Sequence, residues 1–351
     1  MAGNALNTPA QRIGATKGAI LKHATVEEVL GITGNQHNMA KNTGATVKFR
    51  RWLPVGGAAT DSTTINTWDV DSEDYQLQEG TTPESIGLSA EDRTVTMRKF
   101  GALFYYTDFV EDLYEDDVPK AQKEMLGELM GLIREMNRYG TLKGCTNKFY
   151  CGGSGRTTVD AKISLTVLRA VSRSLMANTG RMITQVLEAS PKYGTTSVEP
   201  AYLVFVHTDA VNDIRNLEGF RHTSDYGTRK LVHEREIGTC EDFRFIVSPR
   251  LKPIIDSGAA VGSTGLKSTG SSNIDVYPFI MVAKDAWGDV ALRGSKSFDY
   301  SHLKPGMKDK ADPLGQRGYV GATFYAAPFV QNDGWMAVVE AGVTDLDVSA
   351  L

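Results

Sequence analysis

The chain has 351 residues, long for one hydrophobic core, which implies two domains or one domain with large excursions. Its 41% hydrophobic and 23% charged content is that of an ordinary globular protein, and a net charge of −4 excludes the global basic footprint of a nucleic-acid binder. Three cysteines make no disulfide framework, and no apolar run reaches signal-peptide or membrane-span length, so a reducing, cytoplasmic setting or a particle assembled there is expected.

Residues 1–45 read as an extended arm with one small helix: Val26, Val29 and Leu30 follow the N-cap candidate Thr25, and glycines stand at 31, 34 and 44. Thr46–Leu53 alternates Val47, Phe49, Arg51 and Leu53 with Thr46, Lys48, Arg50 and Trp52, the period of a strand. Arg93–Phe100 alternates likewise and runs on to Tyr106, so the two segments are expected to pair as a hairpin stem. Between them, residues 54–92 carry nine Asp or Glu and no Lys or Arg. A connection of 39 residues far exceeds the usual two to five, and that length normally means function. So polar a tract cannot stabilise a core of its own, yet Ile65, Trp68, Val70, Tyr75, Leu77, Ile86 and Leu88 are spread through it. The economical reading is a projecting hairpin completed by another subunit. Self-assembly is therefore the first functional expectation.

An acidic patch (Asp108, Glu111, Asp112, Glu115, Asp116, Asp117) precedes Pro119, which suits a first helical turn. From Ala121 to Tyr139 the residues Ala121, Met125, Leu129, Leu132, Ile133, Met136 and Tyr139 predict the apolar face of a long helix. Arg134, Arg138 and Lys143 complement its dipole, and Gly127 and Gly131 suggest that another backbone packs closely. Leu142–Thr158 reads as a loop, and Leu165–Met176 as a second helix ended by Asn178 and Gly180. Ala201–His207 is a buried strand passing into a helix at Thr208–Leu217 capped by Thr208 or Asp209; Phe243–Val247 and Val276–Ala283 are further strands. Of the 18 residues Asp256–Asn273, 11 are Gly, Ser or Thr, the composition of a flexible tip. Tyr319–Val330 and Trp335–Val339 read as a closing β-hairpin around Asp333-Gly334, with Pro328 marking an edge or bulge.

Chemistry-bearing motifs are scarce. Gly152–Arg156 lacks both phosphate-loop and nucleophile-elbow spacing; the six histidines form no HExxH, and Cys145 and Cys151 no CxxC pair. The 108–117 acids do not match a calcium loop. No catalytic, cofactor or metal site is expected. Arg50, Arg51, Arg93, Arg98 and Lys99 with Trp52 and Phe100 offer a small basic patch, but the adjacent carboxylates repel phosphate. Protein–protein contact is expected instead, with Arg50, Arg51, Trp52, Trp68, Asp71, Glu73, Asp74, Arg93, Arg98, Lys99, Glu111 and Asp112 as candidate inter-subunit residues.

Two strings, Glu236–Pro249 (EIGTCEDFRFIVSP) and Asp312–Gly321 (DPLGQRGYVG), together with Ala201–Asp213 and Val276–Gly288, resemble the major capsid proteins of tailed bacteriophages, in the N4-like branch. The likeness covers most of the chain from residue 46 onward. It implies an α+β, Hong Kong 97-like capsid fold: an N-terminal arm (1–45), an extended β-hairpin loop (46–106), a peripheral domain with a long spine helix (107–199), a mainly axial domain (200–310) and peripheral C-terminal strands (311–351). Residues 256–273 would then be a mobile tip of the axial domain. The resemblance further implies a shell of pentamers and hexamers around packaged double-stranded DNA, with no sequence-specific DNA binding, cofactor or membrane. Its partners would be the chain itself, a separate scaffolding protein (about 45 arm residues being too few for a built-in one), a portal and, as a further candidate, a cement protein. Some relatives weld neighbours through a loop lysine, which residues 54–92 do not contain. Two other readings compete: an encapsulin-like compartment shell enclosing cargo enzyme, and a cytoplasmic hydrolase with a triad involving His207, His222 or His233.

Overall fold

The computed structural model describes residues 28–54, 71–83, 85–113, 117–187, 195–227, 229–262, 264–292, 298–308 and 312–346. Its strands are β1 (Asn35–Met39), β2 (Thr46–Trp52), β3 (Ala90–Thr96), β4 (Arg98–Thr107), β5 (Lys148–Tyr150), β6 (Ile183–Leu187), β7 (Thr195–Val206), β8 (Arg221–His222), β9 (Glu236–Cys240), β10 (Phe243–Val247), β11 (Tyr277–Val282), β12 (Trp287–Leu292), β13 (Asp299–Leu303), β14 (Arg317–Val330) and β15 (Met336–Ala341). The helices are α1 (Asp108–Leu113), α2 (Val118–Leu142), α3 (Leu165–Ala177) and α4 (Val211–Arg215).

The larger sheet runs β5-β15-β11-β7-β10-β9-β8, with β6 also on β7. Its central strands are apolar on both faces, as a sheet covered on both sides demands. Tyr202, Val204, Phe243, Phe245, Phe279 and Val339 pack with Leu168, Val171 and Leu175 of α3. On the opposite face Leu203, Phe205, Ile246, Ile280 and Val338 meet Tyr139 and Leu142 of α2 together with Val29 and Leu30. Ser164 caps α3, and the helix closes with Thr179 at φ 56°, its N–H bonded to Met176 O and that of Gly180 to Leu175 O.

The second sheet is β1-β12-β14-β13 with β4 also on β14. Helix α2 lies on its β4–β14 part through Leu126 and Met130 against Tyr106, Val320 and Phe324. Asp117 caps α2, accepting from the Lys120 N–H at 3.0 Å, next to the first-turn proline that the sequence marks.

Several elements depart from the sequence reading. The long helix exists, but Ala121 and Met125 of the expected apolar stripe are exposed, whereas Gln122, Leu126 and Met130 are buried. Polar side chains take core-facing positions because each finds a specific partner, as when the Gln122 amide donates to Tyr105 O at 3.3 Å. Among the described residues no backbone packs on Gly127, and what approaches Gly131 is the Glu28 carboxylate, 3.4 Å from where a Cβ would stand. The 142–158 loop contains β5. The turn after β7 is capped by the His207 ring, which accepts the Asp209 N–H, not by Thr208 or Asp209, and only a short α4 follows. The β14 and β15 strands form no hairpin with each other, since they belong to different sheets and Asn332 caps a 3-10 turn between them. Pro328 faces Asp289 of β12, and pairing with β4 has stopped at Ala326, consistent with a one-sided edge.

The described residues of the 256–273 stretch also form no free tip. The buried Asp275 carboxylate accepts from Asp256 N–H, Thr269 N–H and Thr269 Oγ1, while Lys267 bonds Asp209 at 2.6 Å. Glycine and serine here serve a tight, hydrogen-bonded path whose partners are distant in sequence. In the arm, residues 1–27, including most of the expected small helix, lie outside the described residues; Leu30–Ile32 make one 3-10 turn and β1 pairs parallel to β12.

Candidate subunit interface

The β2 and β3 strands form a two-stranded hairpin of their own, in register from Thr46↔Thr96 to Trp52↔Ala90 and extended by Leu53 N–H to Ser89 O. This register sets Arg50 opposite Asp92 and Arg51 opposite Glu91. Arg50 grips Asp92 through two bonds of 2.8 and 3.0 Å, and that bonding holds the Asp92 carboxyl below the usual carboxylate range. Arg51 meets Glu91 at 2.6 Å and Arg93 meets it at 2.9 Å. The basic stem thus neutralises the last two carboxylates of the acidic tract within the subunit. Pairs this exposed are screened by solvent and add little to stability.

The root of the hairpin is fastened more firmly. Strand pairing breaks at Met97, whose N–H bonds Ala45 O, and the chain then changes partner to β14. Arg93 reaches across to the buried Asp333 at 2.6 Å. Phe49 stacks on Phe329 with ring centroids 4.6 Å apart and 14° between planes, and His37 lies 5.0 Å from Phe49. Such aromatic pairs add about 0.5–1.5 kcal/mol beyond area burial. Beyond the stem, Asp71, Glu73 and Asp74 surround an exposed 3-10 turn, Asp71 accepting the Glu73 N–H. Tyr75, Leu77, Ile86 and Leu88 are exposed, Leu77 and Leu88 to 70%. A subunit gains nothing by holding four large apolar side chains in water.

The candidate residues therefore fall into three places. Arg50, Arg51 and the exposed Trp52 are on the stem, with Arg93 at its root and Arg98 and Lys99 just past it, Lys99 lying 5.5 Å from the Tyr325 ring. Asp71, Glu73 and Asp74 are in the projecting part. Glu111 and Asp112 are exposed on α1, at the far end of the ten-residue β4, about 30 Å away along an extended strand. Trp68 lies outside the described residues.

Sequence reasoning missed the fastening of the arm. Glu28 accepts from Arg134 (2.5 Å) and Arg138 (2.9 Å), and Arg138 also bonds the buried Asp289 at 3.1 Å. Glu135, fully buried, accepts the Val29 and Leu30 N–H groups at 3.0 and 2.9 Å; burial pushes its carboxyl above the ordinary value against the pull of those bonds. The one signal was Gly31, where a Cβ would stand 2.8 Å from Arg138 Nη1.

Elsewhere the chemistry is that of packing. The three cysteines are buried and free, and burial raises the Cys145 and Cys151 thiols to about 12. Among the described residues no cluster of three or more His, Cys, Asp or Glu has the arrangement to hold a metal, and no helix is long and apolar enough to cross a membrane. The Asp209 carboxylate beside His207 is engaged by Lys267 and Tyr277.

No protein-family model and no curated protein sequence matches the chain. Solved structures do. The capsid of Ralstonia phage GP4 aligns with a TM-score of 0.62 over 99% of both chains at 12% identity. The capsid asymmetric unit of cyanophage Pam1 gives 0.58 over 98% of this chain and 100% of that one at 16% identity. The capsid of cyanophage P-SCSP1u gives 0.58 over 95% and 93% at 12% identity. The chain has the phage-capsid, Hong Kong 97-like fold.

Proposed function

We propose that this protein is a major capsid protein that self-assembles into pentamers and hexamers, building an icosahedral shell around double-stranded DNA in a phage virion. One observation carries the reading: a hairpin rooted by Arg93–Asp333 and Phe49–Phe329 projects with Leu77, Ile86 and Leu88 exposed, on a fold matched over its whole length by capsid chains. That hairpin has no use for a lone subunit and an evident one in a repeating lattice. The protein is a structural subunit and not an enzyme, and assembly takes place in the host cytoplasm. We assign residues 1–45 to an arm, 46–106 to the extended loop, 107–199 and 311–351 mainly to the peripheral part, and 200–310 mainly to the axial part. Glu236–Pro249 and Asp312–Gly321 support the N4-like branch. A separate scaffolding protein and a portal complete the assembly, with a cement protein as an optional addition. Arg50, Arg51, Trp52, Trp68, Asp71, Glu73, Asp74, Arg93, Arg98, Lys99, Glu111 and Asp112 are the proposed contact residues.

Expression of the chain with and without a candidate scaffolding protein, followed by sedimentation and nuclease treatment, tests this. Particles sedimenting far above a monomer and, from infected cells, protecting DNA from nuclease are expected. Monomers under every condition, or particles holding enzyme cargo and no DNA, would contradict it.

A further inference from the structure

Where β7 leaves the large sheet it is followed by His207, whose side chain is 15% exposed and lies among segments far apart in sequence. Its Nδ1 accepts the Asp209 N–H at 3.2 Å and its ring also bonds the Pro249 carbonyl, so the ring is neutral and held on both sides. The same Nδ1 lies 3.5 Å from Asp209 Oδ1. Asp209 Oδ2 is meanwhile taken by Lys267 at 2.6 Å and Tyr277 at 2.7 Å. The corner that begins here also holds a later part of the chain, since Asp213 of α4 accepts the Thr344 N–H at 2.7 Å. It borders an open cleft of about 460 Å³ lined by Asp209, Lys267, Ser268, Thr269, Thr344 and Asp345.

Among the described residues, the charged and titratable groups facing the ring are Asp209 of its own turn, Lys267 of the 256–273 stretch and Tyr277 of β11, with Asp275 and Asp345 near Tyr277. Burial holds the imidazole below the ordinary histidine value, Asp209 pulling against it and Lys267 adding to it. The neutral ring's contribution is therefore whole above the ordinary value of about 6.5 and is lost as pH falls through the lowered one. A proton on Nδ1 turns an acceptor into a donor: the Asp209 N–H loses its partner, and the carboxylate 3.5 Å away gains one. One carboxylate then faces two cations. The imidazolium is pinned by Pro249, whereas the Lys267 side chain is 39% exposed beside the cleft and is free to leave. We propose that His207 is a proton-operated latch. Neutral, it caps the turn Thr208–Ala210; protonated, it takes the Asp209 carboxylate, sends Lys267 into the cleft and loosens the corner's hold on the 256–273 stretch. The latch belongs to the lone subunit, so its test is independent of assembly.

Hydrogen exchange of the whole unassembled chain tests this, read by mass spectrometry over residues 207–215 at about pH 7.5 and about pH 5 and corrected for intrinsic exchange. Protection is expected to fall about fivefold at the lower pH, the scale of one lost hydrogen bond. His207→Asn, whose side-chain oxygen caps at any pH, should keep the same protection at both. In Lys267→Met the imidazole NMR titration of His207 should move to higher pH, because the competing cation at Asp209 is gone. Equal protection of the unaltered chain at both pH values would overturn the latch. So would a pH-dependent loss that persists in His207→Asn, or an unmoved midpoint in Lys267→Met, which reads the latch even where His207→Asn does not fold.

Discussion

Replacing Arg138 by Met is the most revealing perturbation of the subunit itself. The side chain is 5% exposed and bridges Glu28 at 2.9 Å and Asp289 at 3.1 Å, the latter only 8% exposed with its second oxygen lacking a partner among the described residues. Methionine fills similar volume, so packing is largely kept while Asp289 is left as an uncompensated buried charge. Breaking a buried pair in this way costs about 3–5 kcal/mol. With an unfolding entropy of about 2.1 cal/mol/K per residue over 351 residues, each kcal/mol moves Tm by about 1.4 °C, so a fall of about 4–7 °C is expected. Differential scanning fluorimetry of the unassembled subunit reads it. Adding Asp289→Asn to Arg138→Met removes the stranded charge and should recover more than half of the loss, a coupling that independent sites would not show. A fall under 1 °C, or no recovery in the double variant, would refute the claim that Arg138 compensates the buried Asp289 charge.

The Glu135 carboxyl is raised by burial, so its ionised form weakens the fold: the wild-type deficit is absent below the ordinary carboxylate value and grows as pH climbs through the raised one. Glu135→Gln, which keeps an acceptor for Val29 and Leu30, should therefore stabilise at pH 7 and match wild type near pH 4; equal melting curves at both pH values would contradict this. The thiols of Cys145 and Cys151, raised to about 12, should resist Ellman's reagent at pH 8 in the native protein and react after denaturation. Fast native labelling would show that these cysteines are not in the core. Leu77→Ser with Leu88→Ser, at sites 70% exposed, should leave subunit stability within about 0.5 kcal/mol and reduce assembly; equal losses in both would mean that the loop packs on its own body.

What was legible in the sequence is what obeys local periodicity. The β2 alternation, the Pro119 first turn and the Ala201–His207 run appear where their patterns place them, because each is fixed by neighbours a few residues away. The single strand read from Arg93 to Tyr106, by contrast, is divided at Met97 into β3, which pairs with β2, and β4, which pairs with β14. The register of α2 was not legible: its buried face contains Gln122, Glu135 and Arg138, each tied to a partner up to 151 residues distant. The apparent hairpin of β14 and β15 failed for a related reason. A turn signal reports that the chain bends at Asp333-Gly334, not that the flanking strands pair, and here Asp333 turns inward to hold Arg93. The glycine- and serine-rich stretch at 256–273 owes its order to Asp275, a long-range acceptor that composition does not reveal. The interface candidates on the stem and loop were chosen by charge, and the structure separates them into a self-neutralised stem, an exposed acidic segment and a distant α1.

Cryo-electron microscopy of particles formed by this chain tests the central claim most directly. It should show a closed icosahedral shell of pentamers and hexamers in which the 71–90 segment of one copy lies on its neighbour with Leu77 and Leu88 buried. A shell whose 71–90 segments stand in solvent, or no closed shell at all, would contradict it.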